Sequence, residues 1–509
     1  MTDFTRLRID VSEERPVSAT AETDATAASG DDGRDRHGER VGDSDTEDGT
    51  WSALFAGDCI YKGRLAADPV APAVAERIRA ADVSVVNLEA PVRGGGEPAG
   101  KVGPAHASHP ETPARLAAAG FDVACLANNH LMDYGTAGLR VTREACADAG
   151  LATLGAGDDL DAALAPFRTR VAVGGANGEG EPGEAESNGT ESVELAVVNA
   201  CEREFGVATA DEPGVGWLSH PSTERRVAEA ARSADVTVVV AHGGVEYVPF
   251  PPAGFGTRLR TLVDAGADAV VAHHPHVPQG WELYEGAPIL YSLGNFLFDS
   301  KRSNTRWGLL AEFDFRGREL AGVTLLPTEL HEGRVHPLGV EGGRTDGGRP
   351  VDAHLDYLRA SAEIVADRDA LRSHWQELAV RLFDHRYVGW LRRGTGAGLS
   401  QLVTDPRAAV GGRAFPADGR RTEQLTLLNV VRNESHRDVV ETALALRAGD
   451  LTDRREPGVD RTVRDLLDWT ENEVAAMYGE GAERGMSSRL RSGARAAGRR
   501  VAAVLRELR

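Results

Sequence analysis

Five short apolar runs in this chain end in residues that a protein interior does not tolerate unpaired. SALFAG runs into Asp58, VSVVN into Leu88-Glu89, VACLA into Asn128-Asn129-His130, VTVVVA into His242, and DAVVA into His273-His274-Pro275-His276. Runs of this length and β-branched content read as buried strands. Amides, imidazoles and carboxylates at their ends cost free energy unless something binds them. Between the runs lie Ala-rich segments of helical period such as VAPAVAERIRAAD and TPARLAAAGFD, and strand, helix, strand in repetition implies an α/β layered domain. In open α/β sheets the ligand site forms where strand ends and loops converge, so the five polar ends predict one site.

That texture extends from Trp51 to about Leu338, which sets a main domain of residues 51–340. Residues 1–50 are rich in Asp, Glu, Ser, Thr and Gly and are expected to form a disordered acidic arm. The insert GGANGEGEPGEAESNGTESVE (174–194) is expected to be a surface loop, and EGGRTDGGRP (341–350) a linker. Residues 351–509 read as mostly helical. They include LTLLNVVRNESHRDVVETALALRAGDL and an arginine-rich last segment in which Leu490, Ala494, Ala497, Val501, Val504 and Leu508 make an apolar seam. Such a seam predicts packing on the rest of the chain or on a second copy, a homo-oligomer through the C-terminal helices. Binding of a polyanion or a membrane surface is the alternative.

A formal charge of −21 over 509 residues argues against nucleic acid or an acidic membrane as partner of the whole chain. Positive charge is nearly all arginine, the lysines being Lys62, Lys101 and Lys301; acidity with few lysines fits a halophilic, high-salt cytosol. Four cysteines without CxxC spacing read as reduced thiols. The opening MTDFTRLRIDVSEERP lacks the apolar core of a secretory signal, and no stretch reaches the roughly 18 apolar residues of a spanning helix. The expected location is cytoplasmic, with a position peripheral to the membrane as the alternative.

Carboxylate and amide oxygens with neutral imidazoles suit divalent manganese, iron or zinc. On an extended segment His274 and His276 share one face, because side chains alternate along a strand. Asp58 or Glu89, with two oxygens each, could bridge a second ion. Singly, His242 reads as a loop histidine, Asn128 as a turn former and Gly57-Asp58 as an ordinary turn; together, each at a strand end, they read as a metal site. No G-x-S-x-G elbow is present, which disfavours a serine hydrolase.

FAGDCIYKG, VNLEAPV, LANNHLMDYG, VVVAHGGVEYVPFP and HHPHVPQGWELYEGAPILYSLGNFLFD together resemble the CapA family, associated with poly-gamma-glutamate capsule synthesis and similar in fold to calcineurin-like metallophosphoesterases. The resemblance covers about Trp51 to Leu338. It implies a four-layer α/β/β/α sandwich holding two divalent ions on Asp58, Glu89, Asn129, His242, His274 and His276. His130 would contact substrate or protonate a leaving group. Asn128, Asp133, Glu246, Tyr247 and Asn295 would contact substrate or support that shell. Two departures stand out against the phosphoesterase pattern: Ile60 occupies the place of a histidine, and Asn87-Leu88-Glu89 replaces a Gly-Asp motif. The resemblance implies a metal-dependent hydrolase or transferase acting on a polyanionic polymer or a phosphorylated small substrate beside membrane-associated synthase proteins. Its alternatives are a non-catalytic metal-containing subunit that binds the polymer or its synthase, and a phosphodiesterase or nucleotidase.

Overall fold

A computed structural model describes residues 5–11, 19–22, 49–63, 66–173, 192–300, 302–339, 349–394 and 421–470. Its centre is the strand Thr50–Ile60, flanked in parallel by Val83–Leu88, which leads on through Val123–Cys125 to Ala152–Leu154. On the other side, Trp307–Arg316 and Glu319–His331 continue the same sheet antiparallel. Alternation sorts the faces of this sheet. Trp51, Ala53, Phe55, Val83, Val85, Val123 and Cys125 join the core shared with the second sheet. The intervening Leu54, Ala56, Val86, Leu88 and Ala124 pack on Val74, Ile78, Leu116 and Leu139 of outer helices. Side chains of period two, apolar on both faces, are what a sheet covered on both sides requires.

The second sheet runs Trp281–Tyr284, Ala287–Leu290, Ala269–His273, Val236–His242, Ser192–Cys201 and Phe167–Ala172, with its inner four strands parallel. Pro221–Ser233 and Ala253–Asp264 cover its far side with Val227, Phe255, Leu259 and Leu262. The layers are therefore α/β/β/α, and both sheets deliver their parallel carboxyl ends to one edge.

The amino-terminal arm departs from expectation. Arg6–Asp10 is a strand on the first sheet, paired antiparallel with Leu7 opposite Leu325 and Ile9 opposite Val323, and both Leu7 and Ile9 are buried. Averaged over 50 residues the composition is that of a disordered arm, yet RLRID alternates apolar and charged residues with a period of two. The strand Ser192–Cys201 also starts inside the expected surface insert, of which 174–191 lie outside the described residues, as do 341–348 of the linker and the whole arginine-rich seam.

Five long helices, Val351–Ala366, Arg368–Leu382, Arg421–Arg432, Glu434–Ala448 and Val459–Trp469, follow, as the helical period predicts. Asp367 accepts from the backbone N–H of Asp369 and Ala370, and Asn433 accepts from that of His436; these two caps break the long patterns into separate helices. The first helix lies directly on the second sheet. Ser361 Oγ accepts from Gly280 N (2.8 Å) and donates to Pro249 O, while Tyr357 donates to Pro278 O. A Cβ on Gly280 would sit 2.3 Å from Ala362 N, so only glycine allows this approach.

His354 on that helix is wedged between Trp307 (4.9 Å) and Trp469 (5.1 Å), and burial pulls its pKa down to about 4. Between its unfolded value and about 4 the unfolded chain binds more protons, so the fold loses stability as pH falls through that window. We expect wild type to lose on the order of 3 kcal/mol there. In denaturant titrations at pH 7 and 4, His354→Gln should show a smaller loss than wild type; an unchanged difference would refute the assignment.

Candidate metal centre

Asp58 lies near the carboxyl end of the central strand of the first sheet, Glu89 follows its parallel neighbour, and Asn128-Asn129-His130 follow the next strand. His242 and His273 end adjacent strands of the second sheet in direct register. Two interlocking groups result. Glu89, His242 and His274 form one, and Asp58, Glu89 and His276 form the other; within each, the donor atoms lie within 4.8 Å of one another, and all five residues are buried. Asn129 joins the first group, its Oδ1 lying 3.1 Å from His242 Nε2.

His274 and His276 do not lie on an extended segment. Both have left-handed backbone, φ 102 and φ 59, and so has Tyr247, φ 61. Pro275 between them turns the chain, and its carbonyl accepts from Tyr247 N (2.8 Å), locking the two loops together. Left-handed non-glycine residues cost about 1–3 kcal/mol each and persist where the surroundings over-determine them, typically at functional sites.

The electrostatics are divided. Burial raises the Asp58 carboxyl, but the imidazoles of His273 and His276, 3.3 and 3.4 Å from its oxygens, outweigh it and hold Asp58 well below the carboxylate range. Burial drives Glu89 well above that range, and the charges of Asp58 and Glu246 add to it. Burial, with His274 nearby, keeps His242 neutral; at His276 the charges of Glu89 and Asp58 overcome burial and raise it. Glu246 is pulled down to about 2, because His274 and His276 outweigh its burial.

Neither oxygen of Glu89 has a hydrogen-bond partner, and the nearest imidazole nitrogens, on His242 and His276, stand 3.7 Å from Oε1. His274 Nδ1 is also without one. A fully buried carboxylate is not left bare beside three imidazoles without a cost of at least about 1–3 kcal/mol. A divalent cation satisfies all of these atoms and reverses the preference for a protonated Glu89. The residues present therefore fit metal.

Several residues expected to contact substrate or support the shell are hydrogen-bonded within the fold. Asn128 is fully buried, donates to Leu88 O and accepts from the N–H of His130 and Leu131, the turn-forming role. Asn295 Oδ1 meets His276 Nδ1 at 3.0 Å and its amide donates to Thr305 O, so it orients a histidine. Asp133 is wholly buried beneath His130: Oδ2 pairs with His130 Nδ1 at 2.8 Å and accepts from His106 N, and Oδ1 pairs with Lys101. Glu246 and Tyr247 are half-buried at the edge, with the guanidinium of Arg302 4.4 Å over the Tyr247 ring.

Sequence reasoning gave no site role to four residues that the fold brings to the centre. Lys101 is nearly buried and donates to Asn129 O (3.2 Å); the His106 ring lies tilted 4.6 Å from that of His130; His273 Nδ1 lies 3.3 Å from Asp58; Asn87 donates to Asp58 Oδ1 at 2.7 Å. One signal was available, since Lys101 is among only three lysines in an arginine-rich chain. Among the described residues no helix is long and apolar enough to cross a membrane.

A profile described as bacterial capsule synthesis protein PGA_cap matches residues 40–300. The chain is similar to the capsule biosynthesis protein CapA of Bacillus anthracis, 31% identical over 284 residues, which is 55% of this chain and 62% of the relative. It thus spans less than two thirds of that protein. It is similar as well to a probable polyglutamine synthesis accessory protein of Mycobacterium tuberculosis, 30% identical over 315 residues, 58% of this chain and 74% of the relative. Among solved structures, a novel phosphatase of Mycoplasma pneumoniae aligns with TM-score 0.31 and 13% identity, over 55% of this chain and 95% of that one. On the matched profile and these identities, the chain belongs to the PGA_cap family of bacterial capsule synthesis proteins.

Proposed function

We propose that this chain is a metal-dependent hydrolase or transferase of surface-polymer synthesis, acting on a polyanionic or phosphorylated substrate with a pair of divalent ions. The observation that carries this is Glu89, a fully buried carboxylate with both oxygens unpartnered and shared by two donor groups. Asp58, Glu89 and His276 would hold one ion; Glu89, His242, His274 and Asn129 would hold the other. The oxygen and nitrogen set suits manganese, iron or zinc. Such ions, when bound, polarise an acyl or phosphoryl oxygen and lower the pKa of a bound water.

The protein's own contribution to proton transfer is His130. Ionised Asp133 can only accept and Lys101 Nζ can only donate, and both lie against Nδ1, at 2.8 and 3.0 Å, so together they fix the position of the ring. Burial and then the Lys101 charge hold His130 well below its ordinary pKa, which keeps the ring neutral, a weak base with one unprotonated nitrogen. Lys101 and the backbone N–H of His106 secure Asp133, and Asp133 secures the ring. Arg302 and Tyr247 at the edge offer a cationic, aromatic surface to an anionic substrate.

The test is His130→Gln with manganese present, on phosphoester and γ-glutamyl substrates. We expect turnover to fall by about 10²–10⁴ with metal content unchanged; unchanged turnover removes His130 from the chemistry.

One observation favours a second reading, a binding subunit with a single ion. Asp58 and His276 are already hydrogen-bonded internally, through Asn87, His274 N and Asn295, whereas the bare atoms are the Glu89 oxygens and the Nδ1 atoms of His273 and His274, and Glu89 and His274 belong to one group. On that reading the partner is the polymer or its membrane-associated synthase, and the metal count given in the Discussion separates the two.

A further inference from the structure

The strand Ser192–Cys201 ends in a sixth polar cluster, Glu202-Arg203-Glu204, and three consecutive residues at the start of the helix Glu434–Ala448 meet it one to one. Ser435 Oγ donates to Glu202 Oε1 at 2.9 Å. Glu434 Oε2 accepts from Arg203 N at 2.9 Å, and its Oε1 from Trp217 Nε1 at 2.8 Å. His436 Nε2 lies 3.9 Å from Glu204, while its Nδ1 meets Tyr387 OH at 2.6 Å. Arg258 completes the junction, bonding Glu202 and Ser435 and pairing with Asp438 at 3.1 Å.

Glu202 in turn grips the chain on both sides of Gly243, at His242 and at Gly244. Its backbone N–H donates to His242 O at 2.9 Å, and its Oε2 accepts from Gly244 N at 3.1 Å. The contact is tight, since a Cβ on Gly243 would lie 2.6 Å from Glu202 Cγ. Gly243 N donates to His273 O at 3.0 Å, so the same few atoms fix the backbone leading into His274. The matched family profile ends at residue 300, well before this helix.

We infer that the Glu434-Ser435-His436 turn is a clasp that positions His242 and His274 for metal, acting through Glu202. The C-terminal helices are then a working part of the centre rather than an appended module. This rests on the metal reading above. Partners that act on a ligand from behind typically alter metal affinity by about 10–100-fold when removed.

The test compares Glu434→Ala/Ser435→Ala, and Ser435→Ala alone, with Thr442→Ala. Thr442 lies on the same helix and accepts from Trp375 Nε1 at 3.1 Å, so its loss weakens the same packing without touching the strand end. Manganese affinity is read by calorimetry, and amide exchange over residues 242–247 is read on metal-free protein. The double variant should bind manganese roughly tenfold more weakly and exchange faster over that segment, with the single variant intermediate and Thr442→Ala like wild type. Equal affinity and equal exchange in the double variant and Thr442→Ala overturn the clasp. A wild type that takes up no metal overturns the metal reading instead. Exchange then decides alone: faster only in the clasp variants upholds the positioning, and no difference ends it.

Discussion

Replacing both His274 and His276 by alanine is expected to strip the protein of metal. Purified in high salt, wild type should carry about two ions per chain by elemental mass spectrometry, and the double variant close to none. Each donor group loses its imidazole from the turn: His274 from the group with Glu89 and His242, His276 from the group with Asp58 and Glu89. What remains is carboxylate with one imidazole, or carboxylate alone. Since even residues behind a ligand are worth about 10–100-fold in affinity, losing a ligand from each group should cost more. The fold should survive, because the backbone at 274–276 is held from outside by Tyr247 N on Pro275 O and by Asp58 Oδ2 on His274 N. Circular dichroism checks that. One ion in wild type, lost in the variant, would support the single-ion binding subunit; metal unchanged by the substitutions would overturn the site.

The strand ends that hold Asp58, Glu89 and His242 were readable because a buried run that terminates in a carboxylate or imidazole conflicts with its own burial, and local sequence displays the conflict. The α/β layering was readable from apolar runs alternating with Ala-rich helical segments, and the α/β/β/α order came with the family resemblance. Residues that lie on no periodic element were not readable. Lys101 and His106 come from the long segment between Glu89 and Thr112, whose Gly and Pro content hides where it folds, and only the tertiary fold brings them against His130 and Asp133. The backbone at His274 and His276 was misjudged because alternation was applied across Pro275, where left-handed conformations replace the extended chain. Arg6–Asp10 was lost to averaging over an acidic arm. Glu202 is a different case: it too follows an apolar run, ELAVVNAC, and the rule applied to the other five strand ends selects it once the run is recognised as a strand.

Glu89→Gln is expected to reverse the order of stability between metal-free and metal-loaded protein. Without metal, wild type buries the Glu89 acid completely, pushed by burial well above the carboxylate range and with no hydrogen-bond partner on either oxygen. Glutamine keeps the shape and removes the acid, so the metal-free variant should be as stable as wild type or more stable by up to about 2 kcal/mol, the scale of one unsatisfied buried group. With manganese at a hundredfold excess over its dissociation constant, wild type should gain about 2.7 kcal/mol by linkage. The variant, lacking the carboxylate shared by both donor groups, should gain little, so the two stability curves cross as metal is added. Chemical denaturation with and without manganese measures this directly. If the variant is less stable under both conditions, Glu89 has a structural partner in the metal-free fold and its bare oxygens are no sign of an ion. If it gains as much from manganese as wild type does, the shared carboxylate is not where the two groups meet, and the paired site reduces to His242, His274 and Asn129 alone.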